Sequence, residues 1–391
     1  DHGQPNTPAW RQAEEDIAHH EADPGVTHFH VIAHTPRASR IRFASPEIPA
    51  LGWNTLWARA VADSASTLLP DAVNPLLKPF LPLALRFAQS ELGEKLLAKL
   101  NAGDETKPPF VIENENFIAE ASPSDGTLTI TDKHTNAIFN GLNRFVDGGD
   151  AGDEYNYSPP DGDSFLTPKL VSLKVFRHRL VQTLEIEYAF KVPAQLSPDR
   201  KSRSQKMVTI PIHSRVSLTP GGERVDIHTE VDNSAKDHRL RVHFPAPFGA
   251  QSADYDGHFE VVQRPIGVPE QGEGWVESPR PEAPQRAFTD VSNGAIGLMI
   301  ANRGLPEVEA LKDGTHAEIA LTLLRSVGWL SRDDMPVRQG HAGPALETPG
   351  GQVPGKWAYD YAVIPHKGDW REAYQHAYAF ETPLRAIPTA L

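Results

Sequence analysis

The feature that most restricts the fold is an alternation of polar and apolar residues that runs through most of the chain beyond Phe110. Its longest examples are LVQTLEIEYAFKV at 180–192 and MVTIPIHSRVSLT at 207–219. Successive side chains of a β-strand point to opposite faces of the sheet, so this pattern predicts long strands with one buried face. About a dozen or more such strands at short intervals predict a mainly β protein, built as a large antiparallel β super-sandwich.

The sequence pattern divides the chain into three regions. Residues 1–63 are a polar lead-in followed by short alternating runs, which predict a small β domain. Residues 64–109 are predicted to be a helical insertion and linker, because their apolar residues have helical spacing and are interrupted by prolines. Residues 110–391 form the super-sandwich domain. Within it, the Gly- and Pro-rich stretch 249–285 predicts an irregular excursion that serves as a lid or pocket wall.

Composition excludes several classes of protein. A net charge of −13 argues against a nucleic-acid partner, since phosphate binding needs clustered Lys and Arg. The longest apolar runs fall short of the roughly 18 residues of a membrane-spanning helix, so we expect no membrane partner. The chain has no cysteine, which excludes disulfides and thiol catalysis and is compatible with a reducing compartment. We therefore expect a cytoplasmic protein with a neutral ligand.

The stretch from Arg144 to Pro160, RFVDGGDAGDEYNYSPP, combines acids with glycines and two tyrosines. Glycine permits unusual backbone angles and close approaches, so we interpret the whole stretch as a shaped loop without regular structure. Three functions are compatible with its acids: a solvated acidic turn, a calcium site, and a wall that faces a carbohydrate. The residues concerned are Asp147, Asp150, Asp153, Glu154, Tyr155 and Tyr157.

Other candidate residues have both a structural and a functional interpretation. Tyr155, Trp329 and Trp357 could stack on sugars, although buried sheet aromatics are the usual case. Arg325 and Arg332 flank SVGWLS and predict an ion-pair cluster with the two aspartates that follow, 333 and 334. His28 and His30 share a strand face, which permits metal binding but is more typical of exposed strand histidines. The sequence contains no stand-alone catalytic motif.

Four ordered segments of the chain carry a family resemblance: FVIENENFIAEASPSDGTLTITDKHT, GLNRFVDGGDAGDEYNYSPP, RLRVHFPAPF and LTLLRSVGWLSRDDMPVRQGHAGPALETPGGQ. They resemble the C-terminal half of the family 38 glycoside hydrolases, the α-mannosidases, in particular the bacterial branch that includes mannosylglycerate hydrolases. The resemblance extends over about 27–60 and 110–370 and leaves out the helical piece. It implies a galactose-mutarotase-like super-sandwich that packs against a catalytic domain.

The resemblance also implies that catalysis is carried out by a different part of the protein. In this family an N-terminal α/β barrel, with a helical segment after it, carries the nucleophile, the acid/base and the zinc ligands, and nothing in this sequence matches those motifs. We therefore assign no catalytic residue and no metal ligand to this chain, and we expect zinc in the missing catalytic domain. The expected partners are an α-mannoside and the chain's own N-terminal catalytic domain, and a homodimer is compatible with the sequence.

Two pocket contacts can be carried over residue by residue. Tyr155 aligns with a family tyrosine that reaches the active site, and Arg286 is the nearest candidate for a family arginine that lines the pocket. Asp153 and Glu154 flank the tyrosine and complete the set of substrate-pocket candidates. Two alternatives to the pocket-wall function stay open: an independent carbohydrate-binding module, and a mutarotase-like enzyme that needs a His and a Glu on one sheet face.

Overall fold

The structure is a computed structural model that describes residues 107–384. Three antiparallel sheets account for almost all of its regular structure, which confirms the predicted mainly β architecture. The predicted small β domain, the helical insertion and the histidine pair His28 and His30 lie outside the described residues. None of the helices within 107–384 is both long enough and apolar enough to cross a membrane.

A four-stranded meander opens the domain, in the order β1-β2-β3-β4. The sequence pattern predicts two strands here, FVIENENFIAEAS and GTLTITDK, joined by a turn at 123–126, and this prediction is wrong in two places. FVIENENFIAEAS forms two strands rather than one, since Asn114 turns the chain by accepting the backbone N–H groups of Asn116 and Phe117 at 2.9 and 2.8 Å. The fourth strand has no clear alternation in the sequence and was not predicted. The strands are β1 Val111–Glu113, β2 Phe117–Ala121, β3 Leu128–Asp132 and β4 Ile138–Leu142.

A five-stranded sheet has the order β13-β16-β17-β10-β5, with β10 between β17 and β5. Its edge strand β5 covers Arg144–Gly149, so the prediction that this stretch has no regular structure was wrong for its first six residues. Burial explains the miss, because nearly every residue of the strand is buried and the sequence does not alternate. The other strands are β10 His238–Pro245, β13 Glu282–Pro284, β16 Glu307–Asp313 and β17 His316–Ser326.

The largest sheet has nine strands in the order β12-β11-β14-β15-β18-β9-β8-β7-β6. Two of its strands, β11 and β12, lie in the stretch 249–285 that was predicted to be irregular. Strand β13 of the five-stranded sheet lies in the same stretch. The other seven strands agree with the runs that the sequence predicts at 170–178, 180–192, 207–219, 223–233, 286–292, 295–302 and 357–365. The nine strands are β6 Lys169–His178, β7 Val181–Pro193, β8 Met207–Leu218, β9 Val225–Asn233, β11 Ser252–Asp256, β12 Val261–Pro265, β14 Phe288–Ser292, β15 Ile296–Asn302 and β18 Gly355–Lys367.

A proline within an alternating run predicts an edge position or a bulge, but Pro211 lies within strand β8, which has a neighbour on each side. It pairs with Ala189 of β7, whereas pairing with β9 begins only one residue later, at Ile212. At Pro211, β8 is therefore paired on one side only, by β7. A residue without a backbone N–H is tolerated at such a position.

The five- and nine-stranded sheets pack face to face as the two layers of the sandwich. Phe244 of β10 meets Tyr361 of β18 edge-on, with ring centroids 5.8 Å apart. Phe145 of β5 meets Tyr188 of β7 in the same way at 5.3 Å. All four rings are buried, and burying aromatic surface is the main stabilising contribution that such a sandwich can make.

A helix closes the described part of the chain. The segment WREAYQHAYAF at 370–380 predicts a short helix or turn. This prediction is confirmed by a 3-10 turn at Trp370–Glu372 and helix α1 at Tyr374–Glu381. Helix α1 covers a second apolar cluster on β14, β15 and β18, in which Phe380 is a buried member. The nine-stranded sheet is therefore covered on both faces at this end.

Candidate functional site

The acidic loop, which we define as residues 150–160, leaves the five-stranded sheet at the end of β5. The backbone N–H of Asp150 donates to the carbonyl of Asp237, directly before β10, at 2.9 Å. Register places Gly149 opposite His238 and Arg239 opposite Arg325. The loop therefore starts beside the first residues of β10 and the last residues of β17.

The three aspartates of the stretch are each paired with an arginine that is distant in sequence. Asp147 pairs with Arg203, Asp150 pairs with Arg325 at 2.7 Å, and Asp153 pairs with Arg338. All three carboxylates are buried. The interpretation as a solvated acidic turn is therefore wrong, and the calcium interpretation loses its ligands because arginine already neutralises each carboxylate.

Asp153 organises the tip of the loop. One of its oxygens accepts the backbone N–H groups of Tyr155 and Asn156 at 3.0 and 2.9 Å, and the other accepts that of Arg332 at 2.8 Å. Burial alone would raise the pKa of the Asp153 carboxyl, but the hydrogen bonds from Arg338 and these backbone groups outweigh burial and lower its pKa. The side chain is thus fully occupied in holding the loop.

Asp150 holds the base of the loop in the same manner. Its carboxylate accepts the backbone N–H groups of Gly152 at 2.8 Å and Ser158 at 3.2 Å, besides the guanidinium of Arg325. Burial raises the pKa of Asp150, and the charge of Arg325 offsets part of that effect. Residue 152 must be glycine, because a Cβ there would overlap the carbonyl oxygen of Asn156.

Asp147 belongs to a buried chain of hydrogen bonds beneath the loop. Besides Arg203, its carboxylate meets Nδ1 of His238 at 2.6 Å, and Nε2 of the same imidazole lies 3.1 Å from the amide oxygen of Asn233. His238 and Asp147 are both completely buried. This chain joins β5, β10 and β9, and so fixes the loop to both layers of the sandwich.

Glu154, Tyr155 and Pro159 are the exposed residues of the loop, and of these only Glu154 and Tyr155 have polar side-chain groups. The Tyr155 side chain is 53% exposed, and its ring lies against Gly343, where a Cβ would stand 2.9 Å from the hydroxyl. The guanidinium of Arg338 lies 5.9 Å from the ring centroid. The backbone N–H of Glu154 donates to the carbonyl of Trp329 at 3.0 Å, which leaves its exposed carboxylate outside the anchoring network.

The predicted pocket residues therefore divide into two groups. Tyr155 and Glu154 lie side by side on the exposed face of the loop, whereas Asp153 is buried beneath them. Arg286 is held elsewhere, by an ion pair of 3.3 Å with Glu381 of helix α1. Within residues 107–384 no hydrogen bond or ion pair joins Arg286 to the acidic loop.

The predicted ion-pair cluster is only partly correct. Arg332 pairs with Asp334, with Nε 2.8 Å from the carboxylate, and its guanidinium lies 4.9 Å from the ring centroid of Trp329. Arg325 turns instead to Asp150. Of the other aromatic platforms, Trp357 is half-exposed and its indole N–H donates to the carbonyl of Val353 at 2.9 Å.

Three anchoring residues were missed from the sequence: Arg203, His238 and Arg338. Arg338 lies in the quoted segment LTLLRSVGWLSRDDMPVRQGH, but no spacing there indicates which acid it meets. The available signal was the number of acids in one glycine-rich loop, because any of them that becomes buried requires a cationic partner.

The described residues do not form a metal site. Between Lys107 and Leu384 no group of three His, Asp or Glu side chains converges as metal ligands would. The donor set of this part of the chain therefore does not fit a zinc ion, and no chemical step is assigned to zinc on these residues.

The fold and the loop together define a large antiparallel β-sandwich domain that presents an anchored loop at the edge of one sheet. Comparison with known families gives a specific match: the model of the glycosyl hydrolases family 38 C-terminal domain covers residues 112–335. The chain belongs to this family, which confirms the resemblance inferred from its four sequence segments.

Individual relatives agree with this assignment. A protein of Halalkalibacterium halodurans named "Putative mannosylglycerate hydrolase" is 31% identical over 284 residues, covering 68% of this chain and 30% of the relative. Two solved structures from Enterococcus faecalis are also similar. A family 38 glycosyl hydrolase shares 27% identity at a TM-score of 0.63 and covers 73% of this chain and 34% of its own. An alpha-mannosidase shares 28% identity at a TM-score of 0.62, and the match covers 71% of this chain and 32% of that protein. This chain therefore spans about a third of the length of these relatives.

Proposed function

We propose that this chain is the non-catalytic β-sandwich portion of a retaining α-mannosidase, in which it supplies one wall of the sugar pocket and the surface against which a catalytic domain packs. The observation that carries the proposal is the acidic loop, whose buried acids fix the backbone while Tyr155 and Glu154 face outward. Membership of family 38 and the larger size of its relatives support the division into two parts.

The exposed pair suits a sugar for reasons of elementary chemistry. The Tyr155 hydroxyl can both donate and accept, and the ring offers an apolar face to the C–H groups of a pyranose. The Glu154 carboxylate accepts hydrogen bonds from neighbouring sugar hydroxyls. Because the loop is anchored to rigid strands, these groups are preorganised and lose little conformational entropy on binding.

The bond-breaking step is assigned to the catalytic domain. In a retaining glycosidase one carboxylate attacks the anomeric carbon while a second protonates the leaving oxygen. Asp150 and Asp153, the buried acids of the loop, are committed to arginine, so they cannot take either part. The exposed Glu154 is assigned to binding sugar hydroxyls. The contribution of Tyr155 is to orient the sugar. Three further predictions stay untested: a cytoplasmic location, a homodimer and a pocket contact by Arg286.

Kinetics of the complete enzyme test the proposal. Tyr155→Phe removes one hydroxyl and should lower kcat/KM for an aryl α-mannoside about tenfold, the effect of one lost hydrogen bond to a polar substrate, with unchanged folding. Tyr374→Phe, which alters a tyrosine of helix α1, serves as the matched control and should leave kcat/KM unchanged. Equal kinetics for the two variants would contradict a pocket function for Tyr155.

A second candidate is an independent carbohydrate-binding module. This function is favoured because the chain, without any catalytic domain, already presents an exposed aromatic ring beside a carboxylate. Calorimetric titration of the isolated chain with α-mannosides separates the two. A pocket wall without its catalytic domain should give no saturable heat that depends on Tyr155, whereas a module should bind and should lose that binding in the Tyr155→Phe variant. Hydrolysis of an aryl α-mannoside by the isolated chain at enzyme-like rates would contradict both.

A further inference from the structure

A groove lies on the outer face of the nine-stranded sheet, away from the acidic loop. Strands β6, β7, β8, β9 and β18 contribute to it, and its volume is about 680 Å³. That volume falls within the roughly 300–1,000 Å³ typical of small-molecule sites. No residue of the acidic loop lines it.

Strand register places a carboxylate, an imidazole and a second carboxylate in one row across the groove. Glu187 of β7 pairs with His213 of β8, and His213 pairs with Glu230 of β9. Directly opposed residues have Cβ atoms about 5 Å apart and point to the same face. That face is the outer one, since the neighbouring Tyr188 and Ile212 are buried in the core.

The central imidazole is not engaged by other side chains. In the part of the chain from 107 to 384, the His213 imidazole has no hydrogen-bond or ion-pair partner, and only the backbone of this residue is paired, in the ladders with β7 and β9. Glu187 accepts one hydrogen bond, from the Ser172 hydroxyl at 2.9 Å, and Glu230 lies 3.5 Å from Nε2 of His228. Each carboxylate therefore keeps free acceptor positions toward the groove.

Small and apolar side chains provide the floor beside this row. Ala189 and Pro211 pair with each other in the next row on the same face. Beyond them, Lys356 pairs with Asp232 at one end of the groove. With Glu187 and Glu230 counted, the groove carries a surplus of negative charge, which disfavours phosphate or carboxylate ligands.

We propose that this groove is a second carbohydrate site, which binds one neutral sugar residue of a glycan. Hydroxyls of a pyranose would donate to Glu187 and Glu230, and His213 would donate or accept between them. The apolar floor would contact the C–H face of the ring. An acceptor-rich row beside an apolar floor matches the two surfaces of a sugar.

Titration of the full chain tests this site. Methyl α-mannoside, methyl α-glucoside and methyl α-galactoside are added in turn, and binding is followed by calorimetry and by saturation-transfer NMR. We expect saturable binding of at least one of them, weakened about tenfold by Glu187→Gln and by His213→Ala. Glu185→Gln, in the next row of the same strand and face, is the matched control and should bind as the unaltered chain does.

Three outcomes would overturn the inference. The first is the absence of saturable binding by all three glycosides. The second is binding that His213→Ala leaves unchanged but Tyr155→Phe abolishes, which would assign the sugar to the acidic loop. The third is tighter binding of spermidine than of any glycoside, because the negative charge would then select a cation. Loss of this site would leave the proposed function of Tyr155 untouched, so the two proposals fail separately.

Discussion

Replacing Arg338 by alanine should release the acidic loop. The guanidinium is almost completely buried and donates to both oxygens of Asp153, to the amide oxygen of Asn156, and to the carbonyl of Arg332 at 2.9 Å. Its removal leaves a buried carboxylate without its cation. Breaking a buried ion pair from one side costs about 3–5 kcal/mol, because the remaining charge stays desolvated.

Urea unfolding, followed by tryptophan fluorescence, measures this loss as a change in the free energy of unfolding. Thermal unfolding should show the same change as a drop in Tm of roughly 5–10 °C for a domain of this size. The control is Arg371→Ala. This variant breaks an exposed pair with Asp369 and should cost at most about 1 kcal/mol.

A double substitution separates the ion pair from its surroundings. Asp153→Asn combined with Arg338→Ala removes both charges, so the loss should be smaller than the sum of the two single losses by at least about 1 kcal/mol. If Arg338→Ala costs no more than Arg371→Ala, or if the two single effects simply add, the pair does not anchor the loop and the reasoning fails.

Three further predictions concern other buried contacts. Burial lowers the pKa of His366, but its hydrogen bond to Asp290 at 2.7 Å outweighs burial and raises that pKa. The stabilisation by this pair should therefore be complete below about pH 6.5 and be lost as the pH rises through the raised pKa. In urea unfolding, His366→Asn should make the free energy of unfolding fall less over this pH range. Gly152→Ala should open the loop to limited proteolysis, because its Cβ would overlap Asn156; an unchanged cleavage pattern would refute the close approach. Tyr361→Phe should lower the free energy of unfolding by about 1–3 kcal/mol, since it leaves Asn143 with an unsatisfied buried oxygen; an unaltered urea midpoint would contradict this.

Much of the fold could be predicted because alternation reports one-sided burial. Strands β6 to β9 have an outer face in solvent, and their predicted limits differ from the observed ones by one or two residues. Strand β5 was missed because both of its faces are covered, which removes the alternation. The short strands β11 to β13 were missed because Gly and Pro between them resemble the composition of an irregular loop.

The candidate site was predicted in outline only. A loop with Asp150, Asp153 and Tyr155 could be selected by composition, whereas the partners of its acids come from residues 203, 325 and 338, far along the chain. The pairing of Asp150 with Arg325 is set by the register between β5, β10 and β17, which is a property of the assembled sheet. Arg203 and Arg338 lie in connections outside the strands, and only the tertiary fold brings them to the loop. Which acids face solvent therefore could not be worked out from the sequence.

The division between buried and exposed acids also explains how one loop can be rigid and functional at once. Asp150 and Asp153 each accept at least two backbone N–H groups of their own loop in addition to an arginine, so the backbone geometry and the charge balance depend on the same atoms. Glu154 and Tyr155 follow directly after Asp153, and their side chains take no part in this network, although the backbone N–H of Tyr155 does. Changes at 154 and 155 should therefore alter ligand contacts at almost constant stability, whereas changes at 150 and 153 should alter stability first. A stability loss at Tyr155→Phe as large as that at Arg338→Ala would show that the exposed pair belongs to the anchor after all.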